Sequence, residues 1–400
     1  MLNFYLIVLF LLSSLLVWQF VGYTTIMSII ALMSKPIKKD YNFQPFVSII
    51  IPTYNEANVI QNRISNCIPL NYPADKYEII IVDSASTDKT ATVIQKFINV
   101  HKDSLPTIKL IKEKERLGKA SAINLGKKFA KSNYILVTDA NATFDQNVLK
   151  EMMPHFLNEQ VGGVGGRYIV ANPGEPLAAS ASYYWDLEYL MRLGESALFS
   201  ACLFHGEINI WRKDIVDADI KMLSEDLDMC ISIIKKGYNI IYEPKAVVYE
   251  PAATTINDQI KQRKRTSIGT IQNIFKHRKF LIFTWNWYTK FIFPSHKILA
   301  MISPFLFILI PILYFVVWDF SLIVGHVFFS VALFIGFFLT LFFLRTQLLT
   351  DANRKKLSGS SSCLGIIHYV LINEYLILLA WLDFFRGRYA VQWEKATTTR

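Results

Sequence analysis

The chain has 400 residues, of which 52% are hydrophobic, and its formal net charge is +10 at pH 7. So high an apolar content, gathered in long runs, excludes an ordinary soluble protein and indicates one large soluble domain with a membrane part. The basic excess lies beside apolar segments without a nucleic-acid-binding motif, so it points to a membrane surface or to phosphate-bearing substrates rather than to nucleic acid.

The first predicted element is a transmembrane helix within residues 1–40. Leu2–Met33 is almost wholly apolar, and a membrane span needs about 20 such residues. The run is too long for a signal-peptide core and lacks a basic leading region, so we predict a retained helix. Lys35, Lys38 and Lys39 follow it, and the positive-inside tendency places the next domain in the cytoplasm.

Residues 41–279 have the pattern of an α/β domain. Four strands are predicted, over Phe46–Pro52, Tyr77–Asp83, Thr107–Lys112 and Tyr134–Asp139. Helical patterns fill the gaps, over Glu56–Cys67, Lys89–Val100 and Lys119–Lys131. This alternation is typical of a Rossmann-like, mostly parallel sheet with helices on both faces. Ligands of such sheets bind beyond the carboxyl ends of the strands.

Polar side chains follow three of these strands, in the segments Thr53–Glu56, Asp83–Asp88 and Asp139–Asn141. Carboxylates there can accept hydrogen bonds from a nucleotide base and ribose, and one can hold a divalent cation against a diphosphate. Asp88 is interpreted instead as a helix cap. No glycine-rich phosphate loop of the common types is present, which argues against kinases, P-loop NTPases and dinucleotide enzymes.

The four cysteines show no spacing typical of a metal or redox site. They are Cys67, Cys202, Cys230 and Cys363. This usage fits a reduced compartment without a disulfide framework, and we interpret all four as small buried hydrophobic residues.

The region 280–400 is predicted to contain an interface helix and membrane helices. Phe280–Pro294 is rich in Trp, Tyr and Phe and has the pattern of an amphipathic helix at the interface. Ile298–Trp318 and Leu322–Leu344 are predicted to span the membrane. Leu364–Phe385 is also apolar, but Asn373, Glu374 and Asp383 interrupt it, so a span and a re-entrant or interfacial helix both stay open.

Seven motifs, taken in chain order, resemble those of the family 2 glycosyltransferases with a GT-A fold. The closest resemblance is to the membrane-integrated branch of cellulose, hyaluronan and poly-N-acetylglucosamine synthases. The motifs are IPTYNE at 51–56, IIVDSASTD at 80–88, LGKA at 117–120 with Asn124, DAN at 139–141, FHG at 204–206 with Arg212, SEDLD at 224–228 with GY at 237–238 and YEP at 242–244, and QRKRT at 262–266 with Gly269.

This resemblance implies an inverting transfer from a nucleotide sugar, taken to be a UDP-sugar, with Asp226 as the catalytic base. The implied donor-binding residues are Pro52, Tyr54, Glu56, Asp83, Lys119, Asp139 and Arg265. The implied acceptor-site residues are His205, Gly206, Glu225 and Gln262. The implied cofactor is Mg²⁺ or Mn²⁺, held by Asp139 and Asn141.

Structural interpretations compete with some of these roles. Glu225 and Asp226 also suit the start of a helix, where acidic residues are favoured. Arg265 could be one more member of a basic cluster facing the membrane, to which Lys261, Arg263 and Lys264 are assigned, since eight basic residues and no acidic ones lie between Lys261 and Lys290. His205 is at least as well explained as a satisfied buried histidine.

Two residues depart from the family pattern. Asn141 stands where the family has a second aspartate, and its neutral amide predicts a weaker metal site. Thr266 stands where the family has a tryptophan that is expected to stack on the acceptor sugar. A threonine cannot stack in this way, which favours single transfer over polymerisation.

The sequence is therefore compatible with three functions. The first is synthesis of a β-linked polysaccharide or glycolipid at the cytosolic face of the cell membrane, by an integral membrane protein whose catalytic domain is cytosolic. The second is a single transfer onto a polyprenyl phosphate or another lipid. The third is a catalytically silent scaffold that keeps the fold. The membrane part would serve as an anchor or as a translocation channel.

Overall fold

The computed structural model describes residues 2–102, 106–317 and 363–390. The predicted span Leu322–Leu344 lies outside the described residues. The helices are α1 (Leu2–Val17), α2 (Tyr23–Met33), α3 (Ile60–Cys67), α4 (Thr90–Val100), α5 (Lys119–Phe129), α6 (Val148–Met152), α7 (Pro176–Leu198), α8 (Glu225–Lys235), α9 (Ile256–Lys276), α10 (Arg278–Phe283), α11 (Leu299–Val317) and α12 (Cys363–Phe385).

One eight-stranded sheet forms the centre of the α/β domain. Its strands are β1 (Val47–Thr53), β2 (Tyr77–Asp83), β3 (Thr107–Lys112), β4 (Tyr134–Val137), β5 (Thr143–Phe144), β6 (Val161–Val170), β7 (Asn209–Arg212) and β8 (Asn239–Glu250). They lie in the order β3-β2-β1-β4-β7-β6-β8-β5. The first three pairings are parallel, as the sequence predicts, whereas β7 runs antiparallel to both of its neighbours.

Both faces of the sheet are covered, because successive side chains of a strand point to opposite sides. Ile49 and Ile51 pack on one face with α3 and α4, while Ile50 packs on the other face with α5 and α8. The helices on the two faces confirm the predicted fold class. The predicted strands and helices are recovered with shifted ends, since β4 stops at Val137 and α3 begins at Ile60.

Two helices are long and apolar enough to cross a membrane, by length and composition, within the described parts of the chain. They cover Phe4–Met33 and Tyr288–Phe315. The first joins α1 and α2 through a wider π-helical turn at Trp18–Gly22. The second continues through two similar turns into α11. The stretch predicted as one interface helix, Phe280–Pro294, is divided instead, because α10 ends at Phe283 and the next helix begins near Tyr288.

The polar residues that interrupt the last apolar run are contact points between α12 and the rest of the protein. Asn373 accepts a hydrogen bond from Arg263 Nη1 at 2.8 Å. Asp383 forms an ion pair with Lys264. Glu374 accepts from the Ser303 hydroxyl on α11 at 2.7 Å. Two basic residues assigned to the membrane-facing cluster therefore bind α12 to α9.

The partly buried side chain of Lys39 lies between two buried carboxylates of the α/β domain. Its ammonium lies 2.5 Å from Glu151 and 2.7 Å from Glu243, and Glu243 also contacts His155 Nε2 at 2.6 Å. Of the three lysines that follow the first long apolar helix, only Lys35 and Lys38 are exposed. The ion pairs connect the end of that helix to the α/β domain.

This cluster makes the stability of the protein sensitive to acid. Burial alone would raise the pKa of Glu243, but His155 and Lys39 outweigh it and hold the pKa below its usual value. The stabilisation is therefore present at neutral pH and is lost as the pH falls through and below about 4.3, the ordinary pKa of a glutamate. Lys39→Met is expected to cost about 3 kcal/mol at pH 7, because it leaves buried carboxylates without their cation.

Unfolding of the detergent-solubilised protein between about pH 2.5 and pH 7 measures both effects. Lys38→Met is the matched control, because Lys38 is exposed and its substitution leaves the cluster intact. A Lys39→Met variant as stable as Lys38→Met would show that the buried pairs contribute nothing.

Candidate active site

The carboxyl ends of three adjacent parallel strands bring two of the predicted aspartates to one edge of the sheet. Asp83 closes β2 opposite Thr53 of β1, and Pro52 lies opposite Val82. Ile50 of β1 pairs with Val137 of β4, so Asp139 follows two residues beyond that pair. Because β1 lies between them, the strands β2 and β4 that lead to Asp83 and Asp139 are about 10 Å apart. That spacing suits the two ends of a nucleotide diphosphate.

Asp83 presents an unsatisfied carboxylate oxygen at this edge. The residue is 3% exposed, and its Oδ1 has no hydrogen-bond partner among the described residues. A buried polar atom without a partner is costly, so such an atom indicates a ligand position. Beside it, the guanidinium of Arg116 stacks 3.9 Å from the centre of the Tyr54 ring. Glu56 is also buried, and its backbone N–H donates to Thr90 Oγ1 on the neighbouring helix.

Lys119, the first residue of α5, connects the strand edge to the other half of the site. Its ammonium lies 2.6 Å from Asp139 Oδ1 and 3.7 Å from Glu225 Oε1, and it donates to the Gly206 carbonyl at 3.3 Å. Burial alone would lower the pKa of Lys119, but Asp139, Glu225 and Glu207 outweigh it and raise the pKa above its usual value. The ammonium is therefore a fixed positive charge inside the site.

Three carboxylates gather next to this lysine and form the metal-binding candidate of the site. Oxygens of Asp139, Glu207 and Glu250 lie within 4.8 Å of one another. Burial, together with the carboxylates of Glu250 and Asp139, raises the pKa of Glu207 well above its usual value. This crowding of negative charge fits a hard divalent cation with oxygen ligands. Asn141 donates from Nδ2 to Glu250 Oε1 at 2.5 Å, so its amide orients the third carboxylate.

The N-terminus of α8 supplies the predicted base. Asp226 is in the first turn, and its Oδ1 accepts from the N–H of Leu227 at 2.9 Å. Its other oxygen lies close to Gly206, since a Cβ placed there would be 3.8 Å from Asp226 Oδ2 and 3.2 Å from Lys119 Nζ. Glu225 is buried, and burial together with the neighbouring Asp226 raises its pKa despite Lys119. The catalytic and helix-start interpretations of these acids therefore coexist.

Helix α9 holds the segment that precedes this first turn. Arg265 donates from Nη2 to the Leu223 carbonyl at 3.0 Å, and its charge also acts on Glu225. The structure thus places Arg265 beside Glu225, at the predicted site. Gln262 and Thr266 are exposed, and the Thr266 hydroxyl donates to the Gln262 carbonyl one turn earlier on the same helix.

His205 belongs to an aromatic cluster directly beside the carboxylates. Its ring stacks on Tyr168, with centres 5.5 Å apart, and lies 4.9 Å from Trp185. Burial, with a further contribution from Arg192, lowers the pKa of His205 well below its usual value. The residue is 5% exposed, which agrees with the interpretation of a buried histidine next to the site.

The structure therefore brings Asp139, Gly206 and Glu225 to Lys119 and adds two residues that the sequence analysis missed. Glu207 and Glu250 come from the residue after the FHG motif and from the end of β8. In the sequence, Glu207 was indicated only by its neighbour Gly206 in the FHG motif. No motif indicated Glu250. Of the predicted residues, Gln262 is the one that the structure leaves exposed on the surface of α9.

Sequence models of two related families match the chain. The model described as glycosyl transferase family 2 matches residues 48–211. The model described as glycosyl transferase family group 2 matches residues 134–344. The first match contains Asp83, Lys119, Asp139 and Glu207, and the second adds Asp226, Glu250 and Arg265.

Two individual proteins are also similar to this chain, each at 28% identity. The probable glycosyltransferase YdaM of Bacillus subtilis (strain 168) is 28% identical over 241 residues, which are 58% of this chain and 57% of that protein. The poly-β-1,6-N-acetyl-D-glucosamine synthase of Staphylococcus aureus (strain MSSA476) is 28% identical over 229 residues, 56% of this chain and 54% of its own. The matched part is thus a little over half the length of each relative.

A solved structure is similar to this chain over nearly its whole length. The mannosyltransferase PcManGT from Pyrobaculum calidifontis, in complex with GDP-Man and Mn²⁺, matches with a TM-score of 0.69 at 21% identity, over 97% of this chain and 100% of that one. At this identity the likeness shows the fold alone, and it confirms the predicted GT-A architecture.

Proposed function

The chain belongs to glycosyl transferase family group 2, and we propose that it transfers a sugar from a UDP-sugar to a glycan or glycolipid acceptor, with inversion at the anomeric carbon. One observation carries the proposal. Lys119 connects the donor edge of the sheet, through Asp139, with the base-bearing helix α8, through Glu225, and it also contacts the Gly206 carbonyl. Carboxylates from distant parts of the sequence thus surround one position where a sugar can react.

Asp226 acts as the general base in this proposal. Its carboxylate takes the proton of the acceptor hydroxyl while that oxygen bonds to the anomeric carbon. The bond from this carbon to the diphosphate oxygen breaks, and the electron pair leaves with the nucleoside diphosphate. The surroundings suit a base, because Asp226 is only partly buried whereas its neighbour Glu225 is buried against Lys119.

The donor lies along the strand edge. Asp83 supplies a carboxylate oxygen to the base or ribose, and Tyr54 lies beside that position. Lys119 and Arg265 supply positive charge towards the diphosphate, which stabilises the negative charge that develops as it leaves. Since Lys119 already contacts Asp139 and the Gly206 carbonyl, it is held in place before the donor binds.

Asp139, Glu207 and Glu250 would hold Mg²⁺ or Mn²⁺ in this site. The bound cation would neutralise part of the charge on the leaving diphosphate. Glu207 and Glu250 replace the charge that Asn141 lacks, so the departure from the family pattern need not abolish metal binding. Support also comes from the structural neighbour, which was solved with Mn²⁺ and GDP-Man. The assignment of Asn141 as a direct ligand stays a prediction.

The relatives suggest which donors to test first. The Staphylococcus aureus relative is named as a poly-β-1,6-N-acetyl-D-glucosamine synthase, so UDP-N-acetylglucosamine is the first donor and a β-linked polymer the first product. Single transfer onto a lipid is the second candidate, because Thr266 is exposed and its hydroxyl is directed to its own helix.

Two apolar helices support attachment of the enzyme to a membrane, and we place its active site on the cytosolic face of the cell membrane. Lys35 and Lys38 remain exposed at the end of the first helix, which supports this orientation. The lipid bilayer is thus a partner in the proposal, and nucleic acid is not.

A donor panel with product sizing tests the proposed function. Full-length protein in lipid nanodiscs is incubated with MnCl₂ and radiolabelled UDP-N-acetylglucosamine, UDP-glucose or GDP-mannose. Transfer from a UDP-sugar supports the proposal, whereas transfer from GDP-mannose alone would contradict the assigned donor class. A polymer indicates repeated addition, and one organic-soluble product indicates single transfer. No nucleotide release from any donor would favour a silent scaffold.

A further inference from the structure

The segment Ala201–Glu207 carries residues of the acceptor and metal sites, and the membrane-associated helices hold it from one side. Gly206 contacts Lys119, and Glu207 belongs to the carboxylate trio. Cys202 lies four residues before Gly206, and both its backbone N–H and its carbonyl are hydrogen-bonded to side chains. Its N–H donates to Glu195 Oε2 at 2.9 Å, and its carbonyl accepts from the Tyr288 hydroxyl at 3.0 Å.

Glu195 on α7 is itself fixed by both membrane-associated helices. Its Oε1 accepts from the Tyr23 hydroxyl at 2.6 Å and lies 2.5 Å from His296 Nδ1. All three residues are buried. The Cys202 peptide therefore depends on Tyr23 from the first helix and on His296 and Tyr288 from the second.

A second carboxylate of α7 completes the arrangement around His296. Glu188 lies 3.1 Å from His296 Nε2, and it accepts from Arg192 Nη2 at 2.8 Å. Burial alone would raise the pKa of Glu188, but Lys297, His296 and Arg192 outweigh it and hold the pKa well below its usual value. Because both ring nitrogens of His296 lie against carboxylates, both carry hydrogens and donate.

The backbones of α2 and α7 lie so close together that the two helices have little freedom to shift against each other. A Cβ on Gly194 of α7 would lie 2.1 Å from the carbonyl oxygen of Met27 on α2. Buried charges are tolerated only when their partners stay in place, so the pairs specify one position of α7 against the membrane-associated helices. On its other side the segment reaches the base-bearing helix, because the N–H of Phe204 donates to Cys230 Sγ at 3.0 Å.

We propose that Glu195, His296 and Tyr288 form a clamp through which the membrane-associated helices position the segment Ala201–Glu207 for acceptor and metal binding. They act as positioning residues, since their contacts reach the site through Cys202. The functional consequence rests on the proposed glycosyl transfer. Nucleotide recognition by Asp83 at the β2 edge is independent of the clamp.

Two conservative variants test the clamp in the full-length protein. Tyr288→Phe removes only the hydroxyl that binds the Cys202 carbonyl, and Glu195→Gln removes the charge with little change of shape. Tyr189→Phe is the matched control, because the hydroxyl of this buried α7 residue makes no hydrogen bond within the described residues. Hydrogen–deuterium exchange of the amides at 201–207 is measured beside those of β1 and β2.

Both variants are expected to speed exchange at 201–207 by about tenfold, the effect of losing one buried hydrogen bond, with β1, β2 and the control unchanged. Transfer at saturating MnCl₂ is expected to lose kcat by about tenfold, while UDP affinity measured without metal stays constant. A role in general stability alone would speed exchange throughout and lower UDP affinity as well, and would overturn the proposal. Unchanged exchange at 201–207 would also overturn it.

The exchange measurement separates this inference from the proposed function. Selective loosening of 201–207 in a protein that transfers no sugar from any donor would support the clamp and remove the proposed glycosyl transfer. Transfer by the wild type, with no selective loosening in the variants, would leave that function standing and remove the clamp.

Discussion

The Asp226→Asn variant is expected to lose sugar transfer by about 10²–10⁴-fold, the usual contribution of a general base, while binding UDP with unchanged affinity. An amide of the same shape cannot take the acceptor proton. The nucleotide contacts come instead from Asp83 at the end of β2 and from the loop after β1, on separate elements from α8. Initial rates with the active donor, together with calorimetric titration of UDP, measure the two effects.

A carboxylate outside the site provides the control for this substitution. Asp217 pairs with Lys127 at the surface, and its side chain is 74% exposed. Asp217→Asn is expected to keep wild-type activity. Substantial transfer by Asp226→Asn would remove the base assignment, and equal losses in both variants would trace the effect to folding.

The Glu207→Gln variant is expected to need at least about tenfold more Mn²⁺ for half-maximal activity, a loss typical of perturbed metal sites. Glu207 is one of three crowded carboxylates whose mutual repulsion a cation relieves. Removing one charge lowers the attraction for the metal while Asp139 and Glu250 remain. Initial rates over a MnCl₂ titration, after treatment with EDTA, give the activation constant.

Glu159→Gln is the matched control, since this exposed glutamate lies outside the site. Its activation constant is expected to equal that of the wild type. If Glu207→Gln also had a wild-type constant, the metal would not be bound by the trio, and the assignment would return to Asp139 and Asn141 alone.

The first half of the sheet could be predicted from the sequence because its strands are buried on both faces. Parallel strands of this kind have near-continuous β-branched runs, as in Val47–Thr53 and Tyr77–Asp83. Because these strands are parallel, the polar residues that follow them lie at the same edge of the sheet. The placement of Asp83 and Asp139 therefore needed only the strand order.

The second half could not be predicted in this way. Strand β6 contains four glycines, which weaken any strand pattern, yet a Cβ on Gly163 would lie 2.5 Å from Phe204 Cζ. Close packing, which no local pattern reports, explains that glycine. Glu250 is also far from Asp139 in the sequence and lies close to it only in the folded chain. No local pattern reports that proximity, so the three carboxylates were missed as a metal site.

The basic stretch between Lys261 and Lys290 shows a further limit of sequence reasoning. Its composition indicates a membrane surface, but Arg263 and Lys264 bind α12 and Arg265 contacts the Leu223 carbonyl. Helical spacing of 3.6 residues per turn directs adjacent side chains to different partners. Charge composition alone cannot assign such residues individually.

The most direct measurement is a structure of the full-length protein with Mn²⁺ and the nucleotide of its active donor. Our account predicts the base and ribose beside Asp83, the metal among Asp139, Glu207 and Glu250, and the Asp226 carboxylate facing the position of the transferred sugar. A nucleotide bound elsewhere, or an Asp226 side chain turned away from the diphosphate, would contradict it.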